Sequence, residues 1–197
     1  MPRRPRLVYV TTLPVTPFLL LRGQLAQMRE WGFEVHVVCS PGPELDAVSD
    51  REGVMTHAVD IPRDPEPRGD ARALVELVRL FRRLQPHIVN ASTPKAGLLG
   101  MLAARIARVP VRIYLLRGLR LETASGNLLK VLAAPKLAAA CAHEVIASQA
   151  GTPSWPAGTR RQKVRVLRGG VVERREPGAI HGDGRPCVPK QARSGRG

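Results

Sequence analysis

The chain has 197 residues and a formal net charge of +15, because 31 lysines and arginines outnumber 16 aspartates and glutamates. A hydrophobic content of 44% suits a globular core, but the apolar runs are too short to span a bilayer, which predicts a soluble or peripheral protein. Cys39, Cys141 and Cys187 form no CxxC or Cys/His pattern, so we expect reduced thiols and no zinc site.

The first third of the chain alternates strand and helix patterns. Residues 7–12 predict a strand, and residues 17–31 predict a helix that ends at Gly32. Residues 33–39 predict a second strand. A proline- and glycine-rich turn, a short helix and a weak strand at residues 54–59 follow.

The middle of the chain continues this alternation. Asp70 is the predicted N-cap of a helix that runs to about residue 84. Residues 87–91 and 111–116 predict two strands joined by a helix with Ser92 or Thr93 as cap and Pro94 as first residue. We expect that helix to pack on the sheet through a stripe formed by Leu98, Leu99, Leu102, Ile106 and Val109. A helix over residues 125–141, kinked at Pro135, and a strand at 144–148 complete the pattern.

Repeated β and α units predict an α/β fold, a Rossmann-like doubly wound parallel sheet forming a single domain over residues 1–149. Residues 150–197 differ in composition, with 14 glycines or prolines and 11 basic against 3 acidic residues. We expect this basic tail to be mostly disordered, with residues 163–167 as its only strand.

Ligands of open α/β sheets bind beyond the carboxyl ends of the strands, and this rule selects three loops. They contain hydroxyl, ammonium, guanidinium and carboxylate groups, which favour an anion or a sugar hydroxyl, although ordinary capping and surface ion pairing are the alternative for each residue. The candidates are Thr12 in the first loop, Thr93 and Lys95 in the second, and Arg117, Arg120 and Glu122 in the third. A GxGxxG fingerprint is absent from the sequence, which disfavours a dinucleotide enzyme.

Two passages, VYVTTLPVTPFLLLRGQLAQMREWGFEVHVVCSPG and STPKAGLLGMLAARIARVPVRIYLLRGLRLETASG, resemble the N-terminal domain of family-four GT-B glycosyltransferases of bacterial polysaccharide or lipid-linked glycan synthesis. The resemblance covers about residues 6–148. It implies a domain that receives the acceptor and faces, across a cleft, a second Rossmann-like domain that holds the nucleotide-sugar donor. Where many relatives have a histidine near that cleft, this chain has Arg117, so no catalytic residue is assigned.

The same resemblance implies a hexosyltransferase that uses the nucleotide sugar as co-substrate, with no other cofactor and no metal. It acts on a glycan or lipid-linked acceptor in the cytoplasm, peripheral to the inner face of the membrane. Five arginines could contact anionic lipid there, although solvated helix faces are the alternative and the favoured interpretation, namely Arg79, Arg82, Arg83, Arg105 and Arg108.

The donor-binding domain is missing from this sequence, so we expect a truncated chain that is inactive alone. Residues 169–175 read GGVVERR. One set of codons that encodes these residues would, if the reading frame skipped a single base, encode Gly-Gly-Ser-Ser-Asn-Gly instead, which is the form of the turn usual in the family. A frame shift after about residue 149 would explain the tail, and a separately encoded partner domain is the alternative. In another hypothesis, the chain is a non-catalytic α/β binding module whose basic tail holds a polyanion. We expect no specific nucleic-acid binding, because no recognised motif accompanies the arginines.

Overall fold

The computed structural model describes residues 4–64, 66–116, 128–147, 163–168 and 171–174. Within them, eight strands form one sheet in the order β3-β2-β1-β4-β5-β6-β7-β8, and all neighbours are parallel except the antiparallel pair β7 and β8. The strands are β1 Arg6–Val10, β2 Glu34–Cys39, β3 Met55–Ala58, β4 Ile88–Ser92, β5 Val111–Leu116, β6 Glu144–Ala147, β7 Lys163–Arg168 and β8 Val171–Arg174. The helices are α1 Val15–Leu20, α2 Gln24–Glu30, α3 Pro43–Glu52, α4 Pro67–Leu84, α5 Pro94–Ile106 and α6 Leu128–Cys141.

Helices cover both faces of the sheet. Along β1, Leu7 and Tyr9 belong to a core that includes residues of α2 and α3, such as Leu25 and Val48. Val8 and Val10 alternate with them and belong to the core under α4, α5 and α6. The predicted α/β doubly wound architecture is therefore confirmed.

Small residues, more than leucines, form the buried side of α5. Its buried positions are Ala96, Gly97, Leu99, Gly100, Met101, Ala103 and Ala104, and Ile106 of the predicted stripe is 43% exposed. Leu98 and Leu102 are only partly buried. The expectation of a leucine stripe against the sheet was thus wrong in part, because α5 lies between α4 and α6 and comes close to the strands through residues without bulk.

Three other local expectations need correction. The helix predicted over residues 17–31 is two helices, separated at Gly23, which has a positive φ of 73°. Helix α4 begins at Pro67 rather than after a cap at Asp70, since proline is favoured at the first helical position. The tail contributes β8 as well as β7, and most of the rest of it lies outside the described residues, so its disorder stays a prediction.

Candidate functional site

The point where the chain changes direction across the sheet lies between β1 and β4. After β1 the chain continues to β2 and β3 on one side, and α4 then carries it back to β4 on the other side of β1. The loops that follow β1 and β4 therefore leave the sheet at its carboxyl edge toward opposite sides, and we call the space between them the crevice. This is the usual ligand position in open α/β sheets, and it contains two of the three predicted loops.

The hydroxyls of Thr12 and Thr93 meet across this crevice, with 2.7 Å between the two Oγ1 atoms. Each threonine hydroxyl has one proton to donate and two lone pairs, so the shared hydrogen bond leaves one donor and several acceptor positions. Those positions suit the hydroxyls of a sugar. The structure thus brings together two residues that the sequence selected separately.

Thr93 adopts a backbone conformation that is rare for its residue type. It has φ 76° and ψ 149°, and it occupies the N-cap position of α5 without a side-chain capping hydrogen bond. A β-branched residue at positive φ is strained, by roughly 1–3 kcal/mol, and such strain is often found at ligand sites. The predicted positions of Thr93 as N-cap and Pro94 as first helical residue are confirmed, but the Thr93 side chain does not cap the helix, because its hydroxyl contacts that of Thr12 instead.

Lys95 does not offer a free charge at the start of α5. Its ammonium lies 2.7 Å from a carboxylate oxygen of Asp70, donates to the backbone carbonyl of Asp64, and is 16% exposed. The side chain therefore ties the start of α5 to the start of α4. The remaining anion-binding groups here are the backbone N–H groups of Lys95 and Ala96, because Pro94 has no N–H and the N–H of Gly97 donates to the carbonyl of Thr93.

The loop after β1 is also fixed to its other neighbours. The N–H of Ser40, directly after β2, donates to the carbonyl of Thr12 at 3.1 Å. The Ser40 hydroxyl accepts the N–H of Ile61 and donates to its carbonyl oxygen. These bonds tie the loop after β1 to the segments that follow β2 and β3. They could not be predicted from the sequence, because they join distant segments.

Arg117, Arg120 and Glu122 lie outside the described residues, so their predicted part in the site stays a prediction. Arg117 directly follows Leu116, the last residue of β5, and β5 pairs with β4 in parallel. The end of β5 therefore lies at the same edge of the sheet as the crevice.

Neither thiol in the described part of the chain is a candidate nucleophile. Cys39 and Cys141 are buried and free, as expected for core thiols, while Cys187 lies outside the described residues. Burial raises the pKa of the Cys39 thiol to about 12, so it is protonated at neutral pH. No group of three or more metal-ligating side chains occurs among the residues that the structure describes.

Two titratable clusters lie in the scaffold behind the crevice. Glu52, with a side chain 2% exposed, accepts the backbone N–H groups of Gly23 and Ala26 at the start of α2. Burial raises the pKa of Glu52, but these bonds and the Arg51 guanidinium outweigh it and leave the pKa below its usual value. The second cluster is a histidine pair, His36 and His57, whose ring nitrogens are 3.0 Å apart.

Burial lowers the pKa of both histidines. For His36, a contact with Glu34 at 3.2 Å partly opposes this effect. For His57, the charges of His36 and Arg83 add to it. The pair is therefore mostly neutral at pH 7, and it joins β2 to β3.

The family model and two relatives agree on one kind of protein. A family model described as "Glycosyl transferase 4-like domain" matches residues 20–170. The capsular polysaccharide biosynthesis glycosyltransferase CapM of Staphylococcus aureus is 41% identical over 129 residues, which cover 65% of this chain and 33% of CapM. A UDP-Gal:alpha-D-GlcNAc-diphosphoundecaprenol alpha-1,3-galactosyltransferase of Escherichia coli is 27% identical over 104 residues, which cover 51% of this chain and 26% of that enzyme.

Solved structures share the fold. Anabaena HepE, crystallised with UDP and glucose, superposes with a TM-score of 0.59 at 17% identity, over 82% of this chain and 44% of HepE. The chain spans only about a third of CapM and about a quarter of the galactosyltransferase. No helix in the described part of the chain is long and apolar enough to cross a membrane.

Proposed function

The chain belongs to the glycosyl transferase 4-like domain family, as its resemblance predicted, and from this premise we propose that it is the acceptor-side domain of a glycosyltransferase. The enzyme moves a sugar from a nucleotide-sugar donor to a glycan or lipid-linked acceptor. The names of the two relatives, a capsular polysaccharide glycosyltransferase and a galactosyltransferase acting on a diphosphoundecaprenol-linked sugar, support this assignment of the substrates.

The observation that carries the proposal is the crevice between β1 and β4, bridged by the hydroxyls of Thr12 and Thr93. An acceptor sugar placed there meets hydroxyl donors and acceptors held by rigid strands, together with the free N–H groups of α5. Fixing the acceptor in one orientation lowers the barrier to transfer by proximity, without a chemical group from this domain taking part. Arg117, Arg120 and Glu122 complete this site in the proposal.

Donor binding belongs to a second domain that lies outside this sequence in our proposal. The chain matches only 33% of CapM, which leaves room in that relative for such a domain. The departing nucleotide diphosphate needs electrostatic stabilisation, which the second domain supplies. The isolated chain then binds acceptor but transfers no sugar. The reaction needs no cofactor beyond the nucleotide sugar.

A lipid-linked acceptor places the reaction at a membrane surface, so we propose peripheral association with the inner face of the membrane. Helix α1 directly follows the Thr12 loop and exposes Val15, Leu19 and Leu20 by 39%, 63% and 56%. These side chains are suited to contact the apolar part of such an acceptor.

Acceptor binding by the isolated chain tests the proposal. We would titrate the chain with a diphosphoundecaprenol-linked N-acetylglucosamine in detergent micelles and compare Thr12→Val and Thr93→Val with Thr56→Val, a matched change on β3 away from the crevice. Losing one hydrogen bond costs about 0.5–1.5 kcal/mol, so each crevice variant should bind about 2–10-fold more weakly, whereas Thr56→Val should bind normally. Equal affinity in all three variants would contradict the proposed site.

A further inference from the structure

A second cleft opens at the amino-terminal edge of the sheet, opposite the crevice of Thr12 and Thr93. It has a volume of about 480 Å³ and lies between the start of β1, the start of β4 and the ends of α4 and α5. Four arginines line it, namely Arg4, Arg6, Arg82 and Arg108. None of them is used by the function proposed above.

The positive charge of this cleft is only partly balanced. Arg6 contacts Glu34 at 3.1 Å and donates to the carbonyl of Leu84. The other three arginines form no ion pair within the part of the chain that the structure describes, and no acidic side chain is among the described residues that line the cleft. The carboxyl ends of α4 and α5 each contribute roughly −0.5 charge, so about two positive charges remain.

The fold determines where these guanidiniums lie. Arg82 is in the last turn of α4, and Arg108 follows the end of α5 with a φ of 58°. His87 also lines the cleft, and its Nδ1 accepts the N–H of Arg6. A neutral His87 ring therefore carries its proton on Nε2, which adds another donor.

Apart from His87, the rest of the lining is uncharged. It consists of Gln85, Pro86, Ala107 and Pro110, together with the edges of Phe81 and Val109, which are only 1% and 2% exposed. The volume falls within the range of roughly 300–1,000 Å³ that is typical of small-molecule pockets, so it can hold more than a bare anion. A ligand with an anionic group and an uncharged body fits such a lining.

We infer that this cleft binds a phosphate ester. The planar guanidinium donates two parallel hydrogen bonds to phosphate oxygens, and a phosphate monoester carries up to two negative charges that match the remaining positive charge. The ester is a small soluble molecule, because α1, the surface that we propose faces the membrane, lies at the opposite edge of the sheet. Since the cleft lies at the edge opposite the crevice, its ligand does not compete with the acceptor.

A matched pair of double variants tests this inference. Arg82→Gln with Arg108→Gln removes two guanidiniums from the cleft, whereas Arg79→Gln with Arg105→Gln removes the same charge from exposed positions one turn earlier on α4 and α5. All four arginines are exposed, so circular dichroism should show the same helix content in both variants. The full chain and both variants would be titrated with glycerol 3-phosphate by calorimetry, and with vesicles of phosphatidylglycerol in phosphatidylcholine by sedimentation, at about 0.15 M salt.

We expect the cleft variant to lose at least about ten-fold in affinity and the control variant less than about three-fold. Binding of glycerol 3-phosphate that is lost in the cleft variant supports the inference, and binding of vesicles alone would contradict it. The inference is overturned if the chain binds neither probe, or if both double variants lose affinity equally, because the basic surface would then act only through its total charge. Both outcomes leave the acceptor crevice unaffected.

Discussion

Gly97 of α5 packs directly against Tyr114 of β5, and we expect Gly97→Ala to destabilise the protein. A Cβ at this position would lie 2.2 Å from Cε2 and 2.9 Å from Cδ2 of the Tyr114 ring. Carbon atoms pack at about 3.5–4.0 Å, so the ring or the helix would have to move by more than about 1 Å. Tyr114 is fully buried, which leaves no open space for that movement.

The size of the effect follows from two opposing contributions. Overpacking a core by one methyl group typically costs about 1–3 kcal/mol, and a contact this short belongs at the upper end. Replacing a glycine inside a helix stabilises it by about 1 kcal/mol. The net loss of unfolding free energy should be about 1–2 kcal/mol, which lowers the melting temperature by several degrees.

Urea unfolding followed by circular dichroism measures this loss. Tyr114→Leu removes the ring, so Gly97→Ala in that background should have no cost or even stabilise the protein by up to about 1 kcal/mol. Gly100→Ala is a graded comparison, because its Cβ would meet the Ala91 Cβ at 3.1 Å and should cost less. If Gly97→Ala stabilises the protein with Tyr114 in place, the packing argument is refuted.

Two further predictions concern the clusters behind the crevice. Glu52→Gln should lower the unfolding free energy by about 2–3 kcal/mol, because the charged hydrogen bonds from the start of α2 to this carboxylate are lost. The control is Asp50→Asn on the exposed side of α3, which should change the unfolding free energy little in the same urea assay. Since the pKa values of His36 and His57 are lowered in the folded protein, the unfolded chain takes up protons first, and stability should fall as the pH drops below about 6.5. Replacing both histidines with glutamine should make the unfolding free energy depend less on pH between about pH 7 and 5, and an unchanged slope would rule out this linkage.

The sequence was sufficient to predict the fold because its patterns are local. Strand and helix periodicity, together with Gly32 and Pro94 at helix boundaries, placed most elements within a few residues of their observed bounds. Boundaries failed where two local signals competed. Asp70 is a good cap, but Pro67 begins the helix earlier, and the Asp70 carboxylate pairs with Lys95 instead.

The candidate site was only half predictable for the same physical reason. Ligands of open α/β sheets bind beyond the carboxyl ends of the strands, and those ends can be predicted from the local sequence pattern, which is how Thr12 and Thr93 were selected. The hydrogen bond between these two threonines could not be predicted, because it joins segments that are distant in the sequence. The same is true of the ion pair between Lys95 and Asp70. The buried Glu52 beneath α2 gave no sequence signal either, because a carboxylate next to Arg51 resembles any surface pair.

Sugar transfer by a chimera tests the central proposal most directly. Residues 1–174 of this chain would replace the corresponding part of CapM, so that the rest of CapM supplies donor binding, and transfer to a lipid-linked acceptor would be measured with labelled nucleotide sugar. We predict that the chimera transfers sugar, that Thr12→Val combined with Thr93→Val reduces transfer mainly through a higher KM for acceptor, and that the isolated 197-residue chain transfers none. A folded chimera that binds the nucleotide sugar but neither binds acceptor nor transfers to it would contradict the assignment of this domain as the acceptor side of a glycosyltransferase.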